Sequence, residues 1–186
     1  MSIRSSLSSL TFASTVAFVM VFSTNSSFSA EVGPLLDLLK TPNLENWEEV
    51  EDEIIAEWSK SGSPSIDLLL RRGKNALDEG EVEAALQHFT ALTDHAPDFA
   101  EGWQLRATAF YLAELFAPAM ADLERAVTLN PNHFGAYHGI GIISELLEFN
   151  EQALNAYEAA IAIHPNSTDI KEGLKRVQAL LNGITL

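Results

Sequence analysis

An all-α fold, a short solenoid of three helical hairpins between capping helices, is predicted by this 186-residue sequence. Pro97, Pro131 and Pro165 follow one another at intervals of 34 residues, and a fixed period of that length is typical of stacked helical hairpins. Small and large apolar residues recur in register with these prolines. The flanking segments also place apolar residues at helical spacing, which predicts amphipathic helices rather than strands.

The first 29 residues have the pattern of a secretory signal peptide. Arg4 is their only charged residue, and an apolar run covers most of residues 10–22. Small residues lie three and one positions before a cleavage point ahead of Ala30. We therefore expect an exported protein, periplasmic or secreted, whose mature chain begins near Ala30.

Two alternatives to cleavage stay open for this segment. Left uncleaved, it would anchor the chain in a membrane, although the apolar run is shorter than the roughly 20 residues that a spanning helix needs. An organelle transit peptide would be amphipathic and rich in Arg, whereas here a single Arg precedes an apolar block. We expect no membrane span in the mature chain.

Residues 30–62 are predicted to form an acidic helical segment ahead of the repeats. We expect a short helix over residues 35–40 and a longer one over about residues 43–60, because apolar residues keep helical spacing there. The apolar face of the longer helix consists of Trp47, Val50, Ile54 and Trp58. Between Leu44 and Ser59 this helix carries no base and seven acids: Glu45, Glu48, Glu49, Glu51, Asp52, Glu53 and Glu57.

The simplest interpretation of this acidic helix is a cap whose Trp face packs on the first repeat. Three other interpretations stay open. The helix faces a partner, with Trp47 and Trp58 as interface anchors; it is exchanged between copies in an oligomer; or it folds back into the groove of the solenoid.

Three units, residues 66–99, 100–133 and 134–167, make up a repeat region that we place at residues 63–167. Small side chains let the two helices of a hairpin approach closely, and large apolar side chains fill the space beside them. The small positions hold Gly73, Ala107, Gly141, Ala85, Ala119 and Ala153. The large positions hold Leu69, Trp103, Tyr137, Phe89, Leu123 and Tyr157. One hairpin cannot bury its apolar stripes alone, so the units must stack.

Several residues indicate where the repeat helices begin. Ser63 is a suitable N-cap for a helix whose first residue is Pro64. Asp98 and Asn132 follow their prolines and are predicted to cap the next helices, because their side-chain oxygens accept hydrogen bonds from free backbone N–H groups. Pro118 fits the first turn of a helix, where its missing N–H is not needed.

Residues 168–186 are predicted to form a C-terminal capping helix. Ser167 or Thr168 is its expected N-cap, and Gly183 its expected end. Its apolar face, which should cover the last repeat, consists of Ile170, Leu174, Val177 and Leu181.

This pattern resembles the tetratricopeptide repeat, a 34-residue motif with an aromatic residue, a small residue, a buried Ala, a second aromatic residue and a closing Pro at these offsets. The resemblance covers residues 66–167 and implies a right-handed solenoid of helical hairpins. The sequence departs from the family at a few positions: Leu69 replaces the first aromatic residue, Arg72 and Arg106 replace Leu, and the turn Gly is kept at Gly80 but becomes Glu114 and Glu148.

Composition excludes several classes of function. The chain has 26 Asp and Glu against 11 Lys and Arg, a formal net charge of -15. Such acidity argues against a nucleic-acid-binding protein, which needs clustered cations to neutralise phosphates. The absence of Cys excludes thiol catalysis, iron–sulfur clusters, Cys-based zinc sites and disulfides.

No catalytic or metal-binding motif is found. None of the five His residues has the spacing that places two ligands on one helix face. Gly139 and Gly141 lack the third Gly of a dinucleotide-binding loop, and no strand is predicted before them. We therefore expect a protein that is not an enzyme and that binds no cofactor or metal.

The resemblance implies that the first helix of each hairpin lines a concave groove that binds a peptide or a helix. Carried over position by position, the groove-facing residues are Asp67, Leu70, Lys74, Leu77, Glu101, Gln104, Thr108, Tyr111, Gly135, His138, Ile142 and Glu145. Of these, we predict partner contacts for Leu70, Lys74, Gln104, Thr108, Tyr111, His138 and Ile142. Only Lys74 matches the family's clamp for a terminal carboxylate, which argues against a chaperone-tail adaptor of that type.

We therefore predict a non-catalytic scaffold or adaptor that holds a peptide or helical segment of a partner protein. The acidity of the chain favours basic partner segments. Two alternatives stay open: an accessory subunit of an envelope enzyme or assembly complex, and a structural homo-oligomer that uses the helix of Trp47 and Trp58.

Overall fold

The computed structural model describes residues 26–183, and all regular secondary structure within that range is helical. Nine helices lie in this part of the chain: α1 (Ser26–Leu39), α2 (Trp47–Trp58), α3 (Pro64–Asp78), α4 (Val82–His95), α5 (Ala100–Leu112), α6 (Phe116–Leu129), α7 (Phe134–Leu146), α8 (Asn150–Ile163) and α9 (Thr168–Leu181). The all-α prediction is confirmed. Most of the predicted signal peptide, residues 1–25, lies outside the described residues.

Helices α3 to α8 form three hairpins that stack in chain order, and α9 packs on the last of them. The three repeat prolines lie in the loops that follow the three hairpins, residues 96–99, 130–133 and 164–167, which we call the inter-repeat loops. Pro64 opens α3 and Pro118 lies in the first turn of α6, as predicted. No described helix combines the length and apolar character that crossing a bilayer requires.

The repeated small and large positions form the core. Phe89, Leu123 and Tyr157, the large residues of the second helices, are all buried. The small residue that faces each of these side chains depends on how large that side chain is. A Cβ on Gly141 would lie 2.6 Å from the Tyr157 ring, so only Gly fits against this aromatic ring. Leu123 is smaller than Tyr157, and it shares its core cluster with Ala107.

A buried tyrosine ties the last three helices together. The Tyr157 ring lies between Gly141 of α7 and Gly173 of α9, where added Cβ atoms would come within 2.6 Å of it. Its hydroxyl donates to Glu145 Oε2 at 2.8 Å, and Glu145 also accepts from Arg176 of α9 at 2.9 and 3.0 Å. These bonds to Arg176 lower the pKa of Glu145.

An ion pair inside the array explains one departure from the family pattern. Arg106 donates to both carboxylate oxygens of Asp122, at 2.6 and 2.8 Å, and to Thr93 Oγ1 at 2.7 Å. The guanidinium also lies 4.7 Å from the centre of the Trp103 ring. Arg106 thus joins α4, α5 and α6, where a Leu would contribute only apolar contact.

The turn inside each hairpin has the same backbone in all three repeats. Gly80, Glu114 and Glu148 have φ values of +75°, 59° and 62°. The next residue donates its N–H to a carbonyl five residues back in each repeat, at 2.7 to 2.9 Å, which is the Schellman ending of a helix. Glu114 and Glu148 therefore keep the turn geometry in a left-handed conformation that costs energy for any residue with a Cβ.

Replacing these two residues should stabilise the protein. We expect Glu114→Gly and Glu148→Gly each to raise the free energy of unfolding by about 1 kcal/mol, because Gly adopts positive φ without strain. Urea titration monitored by circular dichroism measures the change. The control is Glu79→Gly, at a residue whose φ is -84°. This change should not raise the free energy of unfolding, because Gly at this position only increases the conformational entropy of the unfolded chain.

Some predicted helix ends are wrong by one or more residues. Phe99 and His133, rather than Asp98 and Asn132, occupy the N-cap positions of α5 and α7. His133 takes the capping role itself, because its Nδ1 accepts a hydrogen bond from the Ala136 N–H at 3.2 Å.

At α9 the predicted Ser167 cap and Gly183 end are confirmed, whereas Leu181 is exposed rather than packed. Helix α1 begins at Ser26 and is longer than the short helix predicted over residues 35–40.

The N-terminal helices lie on the third repeat, not on the first as the simplest interpretation predicted. Side chains of α1 and α2 form one apolar cluster with Phe134 of α7 and Ile163 of α8. Asn166, in the last inter-repeat loop, donates to the carbonyls of Leu39 and Thr41 at 3.0 and 2.9 Å. The chain therefore folds back over the inter-repeat loops before it enters the first repeat.

Candidate peptide-binding groove

A cleft of about 300 Å³ opens between α5 and α7. Five of the predicted partner-binding residues line it: Gln104, Thr108, Tyr111, His138 and Ile142. They meet there because residues three and four apart lie on one helix face, and α5 and α7 are the first helices of adjacent hairpins. That these residues contact a partner stays a prediction.

Glycines shape the wall of the cleft formed by α7. Gly135 and Gly139 both line it. A Cβ at position 139 would come within 3.1 Å of the Leu123 side chain, so Gly139 allows α7 to lie close to α6. Leu123 lines the cleft together with Leu112 at the end of α5. The repeat pattern predicts Leu123 only as a core residue, and it gives no signal for Leu112.

The cleft offers neutral hydrogen-bonding groups beside apolar surface. Gln104 Nε2 donates to Thr108 Oγ1 at 3.3 Å, and this hydroxyl donates to the Gln104 carbonyl at 3.2 Å. The Tyr111 ring lies 5.9 Å from the Phe116 ring and is 37% exposed. No Asp, Glu, Lys or Arg lines the cleft. The arrangement can hold a segment by side-chain hydrogen bonds and apolar contact rather than by ion pairs.

The titration of His138 keeps this cleft uncharged at neutral pH. Burial lowers the pKa of His138 below its ordinary value of 6.5. The positive charge of Arg176 acts in the same direction, whereas the carboxylates of Asp169 and Glu51 partly oppose the shift. The imidazole is therefore neutral at pH 7.

This shift predicts a pH dependence of stability. Below pH 6.5 the unfolded chain binds a proton at His138 more readily than the folded chain does, so the folded state loses stability as pH falls through the lowered pKa. His138→Gln removes this contribution. We expect the unfolding free energy of the wild type, relative to that of the variant, to decrease from pH 7 to pH 5 in urea titrations. A difference that stays constant over this range contradicts the prediction.

Leu70 and Lys74, the two remaining predicted partner-binding residues, lie outside the cleft. The Leu70 prediction is wrong: its side chain is only 4% exposed and belongs to the core cluster of Phe89. Lys74 Nζ donates to Ser59 Oγ at 3.1 Å and lies 3.5 Å from Glu101 Oε1. Lys74 is thus occupied by the segment that follows α2.

Glu101, which the resemblance placed in the groove, is instead one of a buried polar pair. Its Oε2 lies 3.4 Å from His133 Nε2, and both side chains are at most 5% exposed. His133 Nδ1 accepts a hydrogen bond from the Ala136 N–H, so Nε2 is the ring nitrogen beside Glu101. Spacing within one helix gave no signal for this pair, which joins the start of α5 to the loop before α7.

Trp47 and Trp58 do not form a free second interface. Trp58 is 8% exposed, with its ring 4.7 Å from that of His133 and 5.2 Å from that of Phe134. The Trp47 ring lies 5.1 Å from the His164 ring. Both side chains pack against the third repeat of their own chain. The described part of the chain has no group of three or more His, Cys, Asp or Glu residues placed to hold a metal ion.

Comparison with known proteins finds relatives that match more than half of this chain. No family model matches this chain. A TPR repeat-containing protein of Rhizobium etli is 31% identical over 134 residues, which cover 72% of this chain and 66% of that protein. The SGT1 homolog of Bos taurus is 29% identical over 62% of this chain and 34% of its own length. The chain thus spans less than two thirds of these relatives.

Solved structures share the fold. The first TPR of Spaghetti (RPAP3), bound to the HSP90 peptide SRMEEVD, has a TM-score of 0.63 and 26% identity over 64% of this chain and 95% of that one. The first TPR domain of human RPAP3 has a TM-score of 0.61 and 25% identity over 63% of this chain and 93% of that one. With three in-register hairpins and these relatives, the chain belongs to the tetratricopeptide repeat family.

Proposed function

We propose that this chain is a non-catalytic scaffold that binds an extended or helical segment of a partner protein in the cleft between α5 and α7. The observation that carries the proposal is a cleft formed by two packed helices, with Gln104, Thr108 and Tyr111 offering hydrogen bonds beside apolar surface. A preformed groove loses little conformational entropy on binding. The first TPR of Spaghetti, which is bound to an HSP90 peptide, supports peptide binding by an array of this kind.

The charges around the cleft favour a neutral or basic ligand over an acidic one. The HSP90 peptide held by Spaghetti has three acidic side chains in seven residues. In this chain the cleft has no Lys or Arg, and Lys74 already pairs with Glu101. An acidic segment would therefore meet no free cation in the cleft, within an acidic protein.

A phage-displayed random peptide library, selected on the wild-type protein, tests the proposal. We expect selected peptides to bind the double variant Gln104→Ala, Thr108→Ala at least about tenfold more weakly, since both side chains point into the cleft. Tyr111→Ala should weaken binding by a similar factor. Fluorescence anisotropy with labelled peptides measures the affinities.

The matched control removes the same side chains on another surface. Gln87 and Thr90 are exposed on α4, away from the cleft. The double variant Gln87→Ala, Thr90→Ala should bind the selected peptides as the wild type does. Equal affinities for the cleft variant and this control would show that the peptides bind elsewhere.

We also propose that residues 1–29 direct export and are removed ahead of Ala30. The apolar core of the N-terminal hairpin supports this cleavage point, because Val32, Leu36 and Leu39 all lie after it and stay in the mature chain.

N-terminal sequencing and the intact mass of the protein from an exporting host test the export proposal. We expect a chain that begins at Ala30. Ser29→Arg should block cleavage because it changes the residue directly before the cut, whereas Ser26→Arg, outside the recognised positions, should not. A full-length wild-type chain in the membrane or cytosolic fraction contradicts the proposal.

A further inference from the structure

Large apolar side chains are exposed on the turns inside the second and third hairpins. We call this surface the turn edge; it consists of Leu112, Leu115, Leu146, Leu147 and Phe149. Each of these side chains is between 40% and 57% exposed. Clustered exposed apolar residues mark interaction surfaces more often than scattered ones do.

The turns themselves do not require these residues. The first hairpin makes the same turn, with the same positive φ and the same closing hydrogen bond, and residues 78–81 there are Asp, Glu, Gly and Glu. Polar side chains therefore suffice for this backbone. The backbone of the other two turns therefore does not by itself account for their apolar residues.

The turn edge is continuous with the cleft. Leu112 belongs to both, since it lines the cleft beside Tyr111 and leads into the turn that ends at Leu115. A segment that leaves the cleft along α5 and α7 would reach the turn edge next. The cleft and the turn edge thus meet at Leu112.

The charge around the turn edge is negative. Residues 109–121 and 145–155 contain no Lys or Arg, and Glu114, Glu148 and Glu151 are exposed within them. Arg176, the cation that reaches the end of α7, is already bonded to Glu145. An occupant with apolar side chains and flanking cations would therefore match both the surface and its charge.

We propose that the turn edge docks an amphipathic segment of a partner protein whose apolar face is flanked by Lys or Arg. The inference rests on the proposed function and names the chemistry of the partner. A second copy of this chain would bring the same acids, Glu114 and Glu148, against each other. An electrically neutral lipid surface would leave these acids unmatched.

Three synthetic helical probes test this chemistry by fluorescence anisotropy against the full chain. One carries a Leu face flanked by Lys, the second the same Leu face flanked by Glu, and the third the same Lys positions with Ala in place of Leu. We expect the Leu/Lys probe to bind at least about tenfold more tightly than the other two. Equal binding of the Leu/Lys and Leu/Glu probes overturns the proposal.

Matched variants assign the binding to the turn edge. The double variant Leu146→Ser, Phe149→Ser should bind the Leu/Lys probe about tenfold more weakly than the wild type does. Leu68→Ser, at an exposed apolar position on α3, should leave this affinity unchanged. Glu114→Asn with Glu148→Asn should reduce the salt dependence of binding, because Asn removes the charge and tolerates the left-handed backbone. Glu158→Asn on α8 is the charge control.

A photo-crosslinker placed by Phe149→benzoylphenylalanine identifies the occupant. Cross-links to the Leu/Lys probe support the proposal. Cross-links to a second copy, to residues 10–22 of the same chain, or to phosphatidylcholine vesicles in place of the probe overturn it. The two proposals can fail separately. If the turn-edge variants bind the Leu/Lys probe as tightly as the wild type does, while the double variant Gln104→Ala, Thr108→Ala still binds the library peptides more weakly, the turn-edge proposal is wrong and the cleft proposal stands.

Discussion

Asp122→Ala is expected to lower the free energy of unfolding by about 3–5 kcal/mol, because it leaves Arg106 buried without its carboxylate. The two side chains are 14% and 7% exposed, and the pair is bidentate. Thr93 alone would remain as a hydrogen-bond partner of the guanidinium. Urea titration monitored by circular dichroism measures the loss.

Two controls separate the buried charge from the lost contact. Arg106→Leu with Asp122→Leu removes both charges and should recover most of the stability, since replacing a buried ion pair by apolar residues is often neutral. Asp94→Ala, at an exposed acid on α4, should change stability by less than about 0.5 kcal/mol. An unfolding free energy for Asp122→Ala within about 1 kcal/mol of the wild type would contradict the role assigned to the pair.

Trp58→Ala is expected to destabilise the N-terminal helices by about 3 kcal/mol, because a truncated buried aromatic residue leaves a cavity. Trp58 contacts His133 and Phe134, and α1 and α2 join the repeats largely through this apolar cluster. Loss of the ring should therefore detach the N-terminal helices before the repeats unfold. Protease cleavage at residues 59–63, which link α2 to α3, should become faster.

Hydrogen exchange identifies the repeat that Trp58 stabilises. Trp58→Ala should speed exchange at the start of α7, around Phe134, and leave α3 unchanged. Leu38→Ala, at an exposed apolar position of α1, is the control and should alter neither cleavage nor exchange. Faster exchange in α3 alone would place the N-terminal helices on the first repeat instead.

The repeats were predictable because each hairpin contacts mainly its neighbours in the chain. A small residue such as Gly141 and the ring of Tyr157, which it faces, then recur at fixed offsets in the sequence. The same locality brought five predicted residues, among them Tyr111 and His138, into one cleft. Their positions on α5 and α7 follow from helical spacing alone.

Contacts between distant parts of the chain could not be predicted in this way. Helical spacing correctly indicated that Trp47 and Trp58 share an apolar face, but it carries no information about which surface that face covers. The error at Leu70 has a different cause, because its groove-facing position was inferred by analogy with Gln104 although the two side chains differ in polarity. The apolar side chain packs with Phe89 instead, because burial of Leu is favourable and burial of Gln is not.

The sequence by itself determined the fold family, the three hairpins and the cleft-facing residues of α5 and α7, because these depend on local periodicity and on contacts between adjacent helices. Only the tertiary structure showed that α2 lies on the third repeat, that Lys74 and Glu101 pair with each other, and that Arg106 has a buried partner in Asp122. Such contacts depend on how the chain returns upon itself in three dimensions, and no periodicity records that path.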